Sequence, residues 1–205
     1  MSNDIEVNDA VKRLGTETAF EVLARAEALA AEGKSIINLG IGQPDFKTPP
    51  HVVEAAQKAL RDGAHGYTPA AGIPALRQSV ANDLQARHQV AVDPSNVLIT
   101  PGAKPIMYFA ISILGEPGTE IMYPNPGFPI YESMIRYTGA KPVPIELKED
   151  AGFAFDADTV LSQVNENTRL IIINSPANPT GGVVPKDTFD KLVAGLEQYP
   201  KVVIL

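Results

Sequence analysis

The chain contains no cysteine. A disulfide framework, a thiolate nucleophile and cysteine-ligated metal are therefore excluded, and the absence fits a reducing compartment. Histidine is scarce: His51, His65 and His88 are the three present, and none stands at metal-ligand spacing with a second histidine. Each reads as a surface or helix-end residue. Basic side chains are also in deficit, with 17 Lys and Arg against 24 Asp and Glu, a net charge of -7 and a sequence pI near 5.0. A nucleic-acid partner needs a basic face, which this balance argues against. No apolar run approaches the length needed to cross a bilayer. The opening "MSNDIEVNDA" has acids where a secretory signal has bases and then an apolar stretch. These absences converge on a soluble cytoplasmic protein with no nucleic-acid or membrane partner. Internal repeats and low-complexity tracts are lacking too. What remains is 205 residues, 44% hydrophobic and 20% charged, enough for a sizeable core in one or two domains.

Apolar spacing predicts helices separated by short strands. Residues 16–33 read as a helix, with Phe20, Leu23, Ala26 and Ala30 at helical spacing, Thr16 or Thr18 as cap and Gly33 at its end. Thr48 is expected to cap a second helix with Pro49 in its first turn, and another starts near Pro74. "SIINL", "NVLIT", "IMY", "KPVPIEL", "RLIIIN" and "KVVIL" read as strands, the prolines of the fourth marking an edge or irregular position. Helices are expected around Ile106–Ile113, over residues 130–138, after Asp156 and around Phe189–Leu196. The alternation, with runs such as Leu170–Ile173 apolar throughout, predicts an α/β fold: a mostly parallel sheet flanked by helices on both faces. The first 47 residues are less regular and are expected to lie apart from the sheet. The last element is a bare apolar strand, so an incomplete chain is expected.

Ligands of open α/β sheets bind beyond the carboxyl ends of the strands. Three stiff loops leave strands there: "TPGAKP", "YPNPGFP" and "NSPANPTGG". In the first, Gly102 permits close backbone approach, and the N–H groups of Ala103 and Lys104 begin a helix, an arrangement that attracts phosphate. It is no P-loop, and an ordinary strand–helix turn would carry the same pattern. In the second, Phe128 sits between prolines and is either a stacking ring or a core anchor. In the third, Asn178 precedes a proline and offers an amide, as turn asparagines commonly do. "GIGQPD" lacks the third glycine of a dinucleotide fingerprint and reads as a turn, where the Gly42 N–H could meet an anion.

"GQPDF", "YTPAAGIPALR", "TPGAKP", "YPNPGFPIY" and "SPANPTGG" occur in this order, and together they resemble the class I and II aminotransferases, pyridoxal-phosphate enzymes of fold type I. The resemblance runs from about Ile37 to Leu205. It implies the large-domain fold, incomplete here, with residues 1–47 as an arm and helix of the small domain and 48–205 as the N-terminal part of the cofactor-binding domain. It implies that Asn178 bonds the phenolic oxygen of pyridoxal 5'-phosphate, that Phe128 stacks on its ring, and that Gly102, Ala103 and Lys104 hold its phosphate. Tyr67 matches a tyrosine that reaches the phosphate of a neighbouring subunit, which implies a homodimer, and Gly42 matches a backbone group near the substrate carboxylate.

The implied activity is amino-group transfer from an L-amino acid, aspartate or aromatic, to a 2-oxo acid such as 2-oxoglutarate. Pyridoxal phosphate delocalises the carbanion left when the α-proton departs. The Schiff-base lysine, the acid at the ring nitrogen and the substrate arginines are expected beyond Leu205, so no catalytic residue is assigned within this chain. Two alternatives are a pyridoxal-phosphate lyase of the same fold and a non-catalytic aminotransferase-like ligand-binding domain.

Overall fold

The computed structural model describes residues 5–15 and 18–205. The expected cap Thr16 and the opening "MSND" lie outside the described residues. Two compact units form, one from residues 1–18 with 104–205 and the other from residues 19–103.

The first unit holds the sheet. Its strands are β1 (Glu120–Asn125), β2 (Lys141–Glu146), β3 (Thr168–Ile171) and β4 (Val203–Ile204), all parallel in the order β2-β1-β3-β4. Parallel strands need crossovers, and helices of suitable length supply them. A helix over Ile130–Thr138 joins β1 to β2, one over Ala157–Gln163 joins β2 to β3, and one over Lys186–Leu196 joins β3 to β4. A further helix over Lys104–Leu114 precedes β1.

Side chains alternate across a strand, and the core divides accordingly. Ile121, Tyr123, Leu170 and Ile172 point to one face and pack with Ile111, Met134 and Ile135 from the helices over 104–114 and 130–138. Met122, Ile145 and Ile171 point to the other and pack with Val160, Leu192 and Leu196 from the helices over 157–163 and 186–196. Burying each such Leu, Ile or Met contributes about 1.5–3 kcal/mol. The expectation of a parallel sheet covered on both faces holds. The helix over 157–163 begins as expected, the Asp156 side chain accepting the Thr159 N–H at 2.8 Å.

Strand β2 is an edge, and its prolines sit where an edge tolerates them. The N–H groups of Lys141 and Leu147 donate to the carbonyls of Thr119 and Asn125, at 2.9 and 2.8 Å. Odd-numbered amides thus face β1, while positions 142 and 144 face outward, where proline lacks only a donor that no strand would use.

The second unit is helical. We number its helices and those above in chain order: α1 (Thr18–Ala31), α2 (Pro50–Arg61), α3 (Pro74–His88), α4 (Lys104–Leu114), α5 (Ile130–Thr138), α6 (Ala157–Gln163) and α7 (Lys186–Leu196). Helix α2 starts one residue later than expected. Pro49 is its N-cap, Pro50 occupies the first turn, and Thr48 makes no cap bond.

Two expected strands do not form. Residues 35–39 have no strand pairing, and Ile37 and Leu39 are exposed. Residues 96–100 are held singly: the Ile99 N–H donates to Ala71 O at 3.0 Å and the Arg77 Nε to Val97 O at 2.9 Å. An apolar run becomes a strand only when a second strand accepts its ladder, and here a loop and a side chain take those bonds instead.

Candidate functional site

Because β1 and β3 are parallel neighbours, the loops that follow them leave the same rim of the sheet. The loop after β1 carries Phe128, half-buried against the core under α4 and α5. Its ring meets Tyr131 edge to face with centroids 6.0 Å apart, and the Phe128 carbonyl accepts the Tyr131 N–H at 3.1 Å. The backbone of Phe128, just ahead of the N-cap Pro129, is thus bonded to the first turn of α5. Sequence left open whether Phe128 is an anchor or a stacking ring. The structure shows the anchor: the residue is half-buried against the core and its ring packs on Tyr131.

Across that ring lies Lys104, the first residue of α4, with Nζ 5.5 Å from the centroid. A cation at this distance is attracted to the ring quadrupole. The turn ahead of α4 is tight: the Gly102 N–H donates to Thr100 O at 2.9 Å and the Thr100 hydroxyl to Gly102 O at 2.6 Å. Gly102 adopts φ +86°, a conformation that favours glycine. Its own N–H is spent within the turn. The Ala103 N–H has no partner among the described residues, so Ala103 rather than Gly102 is the donor that remains.

The loop after β3 is held by side chains. Asn174 Oδ1 accepts the Asn178 N–H at 2.7 Å, and the Ser175 hydroxyl oxygen accepts the Val184 N–H at 2.9 Å. The Gly181 N–H returns to Ala177 O at 2.7 Å and the Ala177 N–H to Gly182 O at 2.8 Å. A Cβ on Gly182 would lie 2.7 Å from the carbonyl oxygens of Gly152 and Phe153, so this position admits no side chain. The loop presents the Asn178 carboxamide exposed and with no hydrogen bond among the described residues. Peptide bonds 125–126, 175–176 and 178–179 are cis.

Within the first unit, then, Lys104, Phe128 and Asn178 lie on elements at one rim. Gly42 and Tyr67 belong to the second unit. The Gln43 N–H donates to Ile41 O at 3.0 Å, turning the chain at Gly42, and Tyr67 is fully exposed. Chemically, the first unit's set is a cation at a helix N-terminus beside a half-buried aromatic, with an exposed amide on a neighbouring loop, groups that can meet an anion and a flat ring. A cleft of about 410 Å³ lies at the outer edge of β2 between Pro144, Lys148, Phe155 and Thr159, and the candidate residues do not line it. Among the described residues no cluster of His, Asp and Glu could hold a metal.

A polar network behind the loop was missed. Tyr123, buried on β1, bonds through its hydroxyl to Glu132 of α5, whose Oε1 accepts Arg136 Nε and Nη2 at 2.8 and 2.6 Å. Burial first, and Glu132 second, push the Tyr123 phenol up to about 12. The Arg136 guanidinium holds the Glu132 carboxyl below its ordinary value. The i,i+4 pair of α5 was visible in the sequence; its connection to β1 was not.

The fold is that of the fold type I aminotransferases. An aspartate aminotransferase from Thermus thermophilus, solved with maleate, superposes with a TM-score of 0.91 at 31% identity, covering 98% of this chain and 53% of that one. The profile of the aminotransferase class I and II family matches residues 34–205, and the chain belongs to that family. A probable aspartate/prephenate aminotransferase of Aquifex aeolicus is 36% identical over 182 residues, 89% of this chain and 46% of that protein. A probable aspartate aminotransferase of Methanocaldococcus jannaschii is 40% identical over 168 residues, 82% of this chain and 44% of that one. The chain thus spans about half the length of the curated relatives it matches.

Proposed function

We propose that the chain supplies the cofactor-holding part of a pyridoxal-phosphate-dependent aminotransferase. The observation that carries this reading is the Lys104 ammonium over the Phe128 ring at the N-terminus of α4. A phosphate and a flat ring need those two groups side by side. In this reading the Ala103 N–H and Lys104 bind the phosphate, with Gly102 shaping the turn, Phe128 covers one ring face, and Asn178 donates to the phenolic oxygen. Gly42 offers backbone to the substrate carboxylate. Tyr67, fully exposed, suits a residue acting on a neighbouring subunit, and a cytoplasmic homodimer completes the reading.

When bound, pyridoxal phosphate supplies an electron sink for the amino acid's α-carbon. The residues of this chain anchor, orient and shield it. The cofactor-bearing lysine and the acid at the ring nitrogen are assigned to positions outside residues 1–205. We take aspartate or an aromatic amino acid as donor and a 2-oxo acid as acceptor. The names of relatives favour aspartate, although a (5-formylfuran-3-yl)methyl phosphate transaminase of Methanocaldococcus jannaschii is also 36% identical.

The test is an absorbance titration of the chain with pyridoxal phosphate, coupled to a transamination assay. Saturable binding that Phe128→Ala and Asn178→Ala each weaken, without turnover, is expected. Binding indifferent to both substitutions overturns the site, and turnover overturns the assignment of the lysine. Release of ammonia or a thiol without a 2-oxo acid acceptor would mark a lyase instead.

A further inference from the structure

Phe128 lies two residues ahead of α5 and is tied to its first turn by the Tyr131 N–H, and the helix's other end is held by a residue far away in sequence. Arg13, in the 3-10 turn Val11–Arg13, donates from Nε to Arg136 O at 2.8 Å and from Nη2 to Tyr137 O at 2.7 Å. Those carbonyls lie in the last turn of α5, where helical partners run out and the dipole is negative. Two residues on, the Gly15 N–H donates to Ser133 Oγ at 2.9 Å. The segment from Arg13 to Gly15 is therefore strapped along α5. Tyr123 and Glu132 tie the same helix to β1. A helix of nine residues is short enough for a shift at one end to reach the other.

We propose that Arg13 is a positioning residue: by holding the C-terminal carbonyls of α5, it fixes the helix whose Tyr131 N–H holds the Phe128 carbonyl, and so the ring beside Lys104. It touches neither ring nor ligand and acts only through α5. The consequence for cofactor affinity rests on the reading of Phe128 given above; the consequence for the ring's placement does not.

Because the chain has no tryptophan, Phe128→Trp introduces a single reporter at the ring itself. In that background, Arg13→Ala is expected to red-shift the emission and raise its quenching by acrylamide. Arg13→Lys, which keeps a cation but not the paired donors, is expected to fall between. Pyridoxal phosphate quenching of the indole should require about 2- to 5-fold more ligand in Arg13→Ala, the range of a charge–dipole contact at a helix end. Identical emission and quenching in all three chains overturns the proposal. So does a lowered melting midpoint in Arg13→Ala with an unmoved indole, since that marks a merely structural residue. If Arg13→Ala does not fold, the Arg13→Lys comparison decides in the same terms. An indole that moves as expected, in chains that pyridoxal phosphate fails to quench, upholds the role of Arg13 and sinks the functional reading instead.

Discussion

The Asn178 carboxamide is exposed and makes no hydrogen bond among the described residues, so replacing it with alanine removes no native side-chain hydrogen bond. Asn178→Ala is expected to change unfolding free energy by no more than about 0.5 kcal/mol while weakening pyridoxal phosphate binding, as urea melts and absorbance titration would report. Tyr123 is the opposite case, buried on β1 with its hydroxyl bonded to Glu132. Its phenol titrates near 12 when folded, above its ordinary 10. The folded state thus holds its proton longer, and this contribution to stability is complete below pH 10 and lost as pH rises toward 12. Tyr123→Phe should flatten the alkaline limb of a stability–pH profile measured by denaturant melts.

Gly182 shows what sequence could and could not disclose about a site residue. The paired glycines after Thr180 announced a turn, but not that the second packs against the backbone of Gly152 and Phe153. Gly182→Ala is expected to cost about 1–3 kcal/mol, because carbonyl oxygens cannot rotate away as a flexible side chain can. Asn174 was passed over in the same way. Its sequence signal was its place as the first polar residue after an apolar strand, four before the amide it accepts.

At the scale of elements, the prolines of β2 make a paired test. Val143→Pro removes an amide that faces β1 and should cost about 1–3 kcal/mol for the carbonyl left without a partner. Pro144→Val leaves the ladder intact and adds an outward donor to the free edge. It should leave the melt nearly unchanged but raise concentration-dependent light scattering. Sequence left β2 at an edge or an irregular position because proline is tolerated there, and it placed the helices well because their apolar stripes are local. It misjudged residues 35–39 and 96–100 because strand formation is not local. Both runs are apolar enough, yet a ladder needs a second strand, and none pairs with them.

At the scale of the molecule, burial is uneven. The first unit holds nearly all the fully buried side chains, whereas α2 buries none and α3 buries only Ala81. Hydrogen exchange followed by mass spectrometry should find the slowest amides in β1 and β3 and much faster ones in α2. Slow exchange in α2 to the level of β1 would contradict this order. The candidate site was legible as motifs because each loop is contiguous in sequence. The Arg13 strap was not, since its contacts span more than a hundred residues and no local pattern encodes them.

The alternation of donors along the outer strands gives the sheet a direction. On the β2 side the border offers carbonyls at Pro142 and Pro144 without amides to match. On the β4 side Leu205 turns its amide inward to Ile171, which leaves that of Ile204 facing out. A neighbour joining by main-chain pairing would therefore find two acceptors without donors beside them at Pro142 and Pro144 on one border, and the Ile204 donor on the other.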